Sequence, residues 1–143
     1  MADQPTVNVT VTHRFTASAE RVFDAWIDPA KAGKWLFSTP EGTIVKIEID
    51  ARVGGKFLVV DRRDGVDVDH VGEYVEIDRP RRLVFKFVVP KYTDHWTTVA
   101  IDIASFDDGC ELTLTHEGVL TEYADRTTGG WTMMLEGLNE AVG

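Results

Sequence analysis

The feature that most constrains this chain is a double change of hydrophobic period. From Ile44 to Gly118 apolar residues recur at every second position, in short segments punctuated by turn residues. Alternation of this kind predicts half-buried strands, because successive side chains point to opposite faces of a sheet. The segments are IVKIEI (44–49), KFLVVDRR (56–63), VDVDHVGEYVEI (66–77), LVFKFVV (83–89), WTTVAIDIASF (96–106) and CELTLTHEG (110–118). Asp64-Gly65 and Asp107-Asp108-Gly109 are hairpin signals, and Gly54-Gly55 permits a sharp bend or bulge. VNVTVTHRF (7–15) adds a seventh strand ahead of this block, with Val7, Val9, Val11, His13 and Phe15 on one face. Short hairpin connections argue for an antiparallel sheet.

Helical spacing appears on either side of the strand block. Ser18 is a candidate N-cap and Glu20 suits the positive end of a helix dipole, while Val22, Phe23 and Trp26 share one side. Asp28-Pro29 then reads as a second cap with proline at N1, predicting a short helix to about Trp35. At the other end Trp131, Met134, Leu135, Leu138 and Val142 form one continuous helical stripe. Gly129 and Gly130 make a weak start to it, since glycine costs a helix about 1 kcal/mol relative to alanine. The order is strand, two short helices, six strands, long helix, which is an α+β fold.

Bulk properties set limits on partners. The 143 residues suit one domain spanning 1–143, with disorder expected at residues 1–6. A formal net charge of -9 repels phosphate backbones and anionic lipid headgroups, so neither nucleic acid nor a membrane is an expected partner. The compact basic run Arg79-Pro80-Arg81-Arg82 is expected to be a solvated turn. No apolar run approaches the roughly 20 residues of a membrane span, and no signal-peptide pattern is present. A lone cysteine, Cys110, fits a reducing cytoplasm.

Specific stretches carry a resemblance as well. RFTASAERVFDAWIDP (14–29), Trp35, ARVGGKF (51–57), GEYVEIDRPRRLVF (72–85), CELTLTHEG (110–118) and GGWTMMLEGL (129–138) resemble the SRPBCC superfamily. Within that superfamily of START-like and birch-pollen-allergen-like domains, they are similar to the family of the activator of the heat-shock-protein-90 ATPase. The resemblance implies a helix-grip fold, with a curved seven-stranded antiparallel sheet wrapped around the long C-terminal helix. An apolar cavity between sheet and helix is implied too. The residues implied to line it are Trp26, Trp35, Phe57, Tyr74, Phe85, Phe87, His116, Trp131, Met134, Leu135 and Leu138. Glycines at 129–130 would bring the helix backbone close to the sheet or leave space for a ligand.

Catalytic signatures are absent: there is no nucleophile elbow, zinc-binding helix, P-loop or dinucleotide-binding glycine pattern. No cofactor and no metal is expected. His13 and His116 are in phase with apolar neighbours and are expected to face inward. Asp67, Asp69 and His70 follow a hairpin tip and are expected on a solvated face. For Glu73, Tyr74 and Glu76 the alternation leaves the inward phase open.

The leading expectation is a non-enzymatic binder of a small apolar or aromatic molecule. One alternative is an enzyme of the cyclase, aromatase or hydrolase type using the same pocket, with His116 as its candidate base. A second is a chaperone-cofactor-like protein-interaction module, though the heat-shock co-chaperone carries an additional N-terminal domain for which this chain has no room.

Overall fold

The computed structural model describes residues 5–37 and 42–142. Strand β1 (Thr6–Phe15) leads to helices α1 (Ala19–Ile27) and α2 (Pro29–Ala32). Strands β2 (Gly42–Ile49), β3 (Lys56–Arg63), β4 (Val66–Asp78), β5 (Arg82–Val88), β6 (Thr97–Phe106) and β7 (Gly109–Leu120) follow. A single 3₁₀ turn (Thr121–Tyr123) then enters helix α3 (Ala124–Val142). The strands make one antiparallel sheet ordered β1-β7-β6-β5-β4-β3-β2. With the long helix against one face, this is the helix-grip arrangement that the resemblance implies.

Local chemistry accounts for most boundaries. Ser18 Oγ accepts from Arg21 N at 3.2 Å, and Asp28 Oδ1 accepts from Ala30 N at 3.0 Å, so both predicted caps form. Asp64 and Gly65 both have positive φ, 51° and 77°, as a two-residue hairpin loop matched to strand twist requires. The basic run closes the turn between β4 and β5, and all three arginines are paired. Arg79 grips Asp24 at 2.7 and 2.9 Å, Arg81 bonds Asp78, and Arg82 reaches Asp102 and Glu76.

Three expectations change. Helix α2 ends at Ala32 rather than near Trp35, and hydrogen-bonded turns carry the chain on to Phe37. Of residues 1–6, Thr6 opens β1 and the Pro5 carbonyl accepts from Thr121 N and Oγ1; residues 1–4 lie outside the described residues, as do residues 38–41. Helix α3 begins five residues before Gly129, so the glycine pair sits in its second turn rather than at its start.

That placement also removes the close-approach account of the pair. A Cβ on Gly129 or Gly130 would meet nothing within 4 Å, so neither glycine is required by the sheet or by packing. Their effect lies in the unfolded chain and in local fraying. Gly130→Ala is therefore expected to stabilise the protein by about 1 kcal/mol in a denaturant titration. In the wild type, amides at 126–132 should exchange faster than those at 134–140, and uniform protection along α3 would contradict this.

The core lies between sheet and helices. Trp131, Leu135, Leu138 and Val142 of α3 are buried against Phe57, Phe85, Ile101, Leu112 and Leu114 of the sheet. Val22, Phe23 and Trp26 close one end from α1. Trp26 and Trp35 meet edge to face, with ring centroids 4.6 Å apart. Trp35 Nε1 donates to the Ala25 carbonyl at 3.0 Å, satisfying the buried indole. Bulges at Val7–Val9, Ile44–Lys46 and Tyr74–Glu76 bend the strands.

Candidate functional site

The third bulge settles the phase that alternation leaves open in β4. Val68, His70, Gly72 and Tyr74 point inward and are buried. The extra residue, Val75, then flips the strand, so Glu76 is exposed and pairs with Arg82. Burial raises the Tyr74 phenol above its ordinary range, and the nearby Asp50 charge adds to this. His70 is a correction to the solvated reading of 67–70: Asp67 and Asp69 are exposed, but His70 is 6% exposed.

Two inward histidines consequently flank Phe87, with ring centroids 6.1 Å (His70) and 6.0 Å (His116) from it. His70 Nδ1 donates to the Val59 carbonyl at 3.2 Å, which leaves the lone pair on Nε2. Burial pulls its pKa down to about 4. The Val59 bond and the Asp61 charge oppose that shift, while Arg63 reinforces it. Asp61 is fully buried in phase with Phe57 and Val59, and its carboxylate accepts from Arg63 Nε.

The bonds around His116 fix its tautomer. The Trp131 indole can only donate, and Nε1 reaches His116 Nδ1 at 3.0 Å. The neutral ring must therefore carry its proton on Nε2, which donates to Thr97 Oγ1 at 2.6 Å. Thr97 in turn donates to the Phe87 carbonyl at 3.2 Å. Every polar atom of the chain from α3 through β7 and β6 to β5 has a partner, and burial holds the His116 pKa down at about 4. Half-buried His13 lies in the inward phase of β1 with its ring against Phe15.

Phe37 fills the space above this platform. Its ring lies parallel to Phe87 (4.9 Å, 3°) and to His70 (4.5 Å, 9°), and its backbone N–H donates to Met134 Sδ at 3.2 Å. It does so from the left-handed region, at φ 57°, an unusual backbone conformation for an aromatic residue. Phe37 also packs against Phe57 and Trp131, so the inner volume under α3 is occupied by the chain's own rings.

Open space begins beyond those rings. A cavity of about 400 Å³ lies where the ends of β5 and β7 meet the first turn of α3. Phe87, Val88, Val119 and Leu120 form its apolar wall. Thr97 and His116 present the hydrogen-bonded chain to it, and Tyr92, Thr93 and His95 come from the β5–β6 loop. His95 Nε2 donates to the Gly118 carbonyl at 2.8 Å and so ties that loop to β7. Tyr123, Arg126 and Thr127 complete the rim with Arg63 from the end of β3. A second depression, around Glu73, Lys86, Thr98 and exposed Trp96, reaches neither histidine.

The sequence-derived site residues thus fall into two groups. Trp26, Trp35, Phe57, Tyr74, Phe85, Trp131, Leu135 and Leu138 converge in the buried core, with Met134 half-buried against them. Phe87 and His116 line the cavity. Arg63, Tyr92, His95, Thr97 and Arg126 were not singled out by the sequence. Arg63, in phase with Phe57 and Val59, and Thr97, in phase with Val99 and Ile101, had a usable signal. The loop and helix-end residues converge through tertiary folding alone. Among the described residues no group of three metal-ligating side chains gathers, and no helix is long and apolar enough to cross a membrane.

Comparison with known proteins agrees with this architecture. Protein CV1439 from Chromobacterium violaceum has 24% identity and a TM-score of 0.87, over 94% of this chain and 96% of its own. An AHSA1-like protein from Aeromonas hydrophila has 22% identity and a TM-score of 0.81, over 95% and 92%. CalU16 from Micromonospora echinospora has 20% identity and a TM-score of 0.73, over 99% and 87%. At these identities the likeness concerns the fold. No curated protein matches the sequence. The family model described as "Activator of Hsp90 ATPase homolog 1-like protein" matches residues 16–143, and the chain belongs to that family.

Proposed function

We propose that this protein binds a small molecule with an apolar or aromatic body, seated in the cavity at the open end of the helix–sheet interface. The observation that carries this reading is the cavity itself. Its volume of about 400 Å³ falls within the range of small-ligand sites, roughly 300–1,000 Å³, and an apolar wall faces a few fixed polar groups. The packed interior supports the same position, because Phe37 and its partners leave the mouth as the accessible space.

The hydrogen-bonded chain favours binding over catalysis. A general base needs a free lone pair within reach of the proton it abstracts. The His116 lone pair is taken by Trp131, and its N–H is taken by Thr97. We assign His116 a positioning role: it pins α3 to the sheet at the cavity wall. Native mass spectrometry and dye displacement against a library of aromatic and aliphatic molecules test the proposal. Stoichiometric binding of at least one class is expected, and no binding across the library would overturn it.

A further inference from the structure

We infer that the ligand of this cavity is an organic anion, whose carboxylate or similar oxyanion group is held at the rim by Arg126 with help from Arg63. This deepens, and rests on, the ligand-binding reading above. The chain carries 24 acidic and 15 basic residues, yet the charged side chains lining the cavity are two arginines and no carboxylate. Asp94, Glu122 and Asp125 are neighbours in sequence of lining residues but do not line it.

The two arginines differ in how they are held. Arg63 bonds buried Asp61 through Nε, so much of its charge is already compensated. Arg126 has no ion pair among the described residues, in contrast to Arg62, Arg79, Arg81 and Arg82, each of which grips a carboxylate. Its guanidinium lies 6.0 Å from the Tyr123 ring centroid, beside another rim residue. It also sits in the first turn of the 19-residue helix α3, where the positive end of the dipole adds to the same field. A guanidinium offers a forked set of donors matched to a carboxylate or sulfonate. Tyr92, Thr93 and Thr127, each bearing a hydroxyl, line the same cavity as the two arginines. An amphipathic anion would therefore lay its apolar body along Phe87 and Leu120 and its charge toward Arg126.

Two dyes of one skeleton test this. 8-Anilinonaphthalene-1-sulfonate carries a sulfonate, and N-phenyl-1-naphthylamine is the same ring system without it. Fluorescence titration of the wild type should show binding of both. Arg126→Gln should weaken the sulfonate about tenfold, the scale of one charge-assisted contact, and change the neutral dye by less than twofold. Arg126→Lys should retain most of the sulfonate affinity. Arg126 is exposed and unpaired among the described residues, so its replacement leaves no buried charge uncompensated. If both dyes bind and Arg126→Gln affects them equally or not at all, the anion inference fails and the binding reading stands. If neither dye binds, both fail.

Discussion

Lowering the pH from 7 to 4 is expected to remove about 6 kcal/mol of stability, about 3 kcal/mol for each of two buried imidazoles. His70 and His116 are held neutral in the fold, with pKa values near 4 where the ordinary value is 6.5. Desolvation is the leading cause at both. Unfolding returns each ring to water, so the unfolded chain takes up protons near pH 6.5 and the folded chain only near pH 4. Between those values the unfolded state binds more protons, and stability falls as the pH falls. Below about pH 4 the two rings contribute no further change. Carboxylates held low by arginines, such as Asp24 and Asp67, act in the same direction but join only at the acid end of this window, as the unfolded chain's carboxyls begin to take up protons near their ordinary value of 3.8. Since a domain's whole stability is about 5–15 kcal/mol, a loss of this size takes up a large share of it and moves the midpoint of acid unfolding upward, toward pH 4. Denaturant titrations at pH 7, 5.5 and 4.5 read the slope directly. Constant stability across them would contradict burial of neutral rings.

The second large effect is expected at Gly72. A Cβ there would lie 2.0 and 2.1 Å from Cε2 and Cζ of Phe57, whose ring lies across the β4 backbone. Phe57 has little freedom to withdraw, being 4% exposed and packed against Phe37, Tyr74 and Phe85. Gly72→Ala should therefore cost about 2–3 kcal/mol, in the range of overpacked cores. The effect belongs to a pair, so a double-mutant cycle identifies it. In a Phe57→Leu background the same glycine substitution should cost less than about 1 kcal/mol. Equal costs in both backgrounds would show that the ring is not what glycine accommodates.

Much of the architecture could be read from residue order because its signals are local. Ser18 and Asp28 cap helices by contacts within three residues, and Asp64-Gly65 turns a hairpin through its own φ angles. Alternation placed His116 inward and helical spacing placed Trp131 on the buried face, but no pattern encodes the hydrogen bond between them. The start of α3 was hidden because Asp125 to Gly130 has no apolar period. His70 was misplaced because Asp67 and Asp69 dominate its neighbourhood, although Tyr74 shares its phase. One bulged residue, Val75, decided what alternation left open for Tyr74 and Glu76. The cavity was the least visible feature. Eight of the eleven residues implied by the resemblance pack together in the core, and Phe37, which no sequence pattern singles out, fills the space between sheet and helix.

The position of the ligand is what this account depends on most. A ¹H–¹⁵N correlation titration with N-phenyl-1-naphthylamine would map it without invoking charge. Shift changes should concentrate at residues 87–97, 116–120 and 123–127, and the Trp131 indole N–H should move with them. Saturating dye that leaves those signals unmoved, or that moves residues on the outer face around Glu73 and Lys86 instead, would contradict the assignment of the cavity as the binding site.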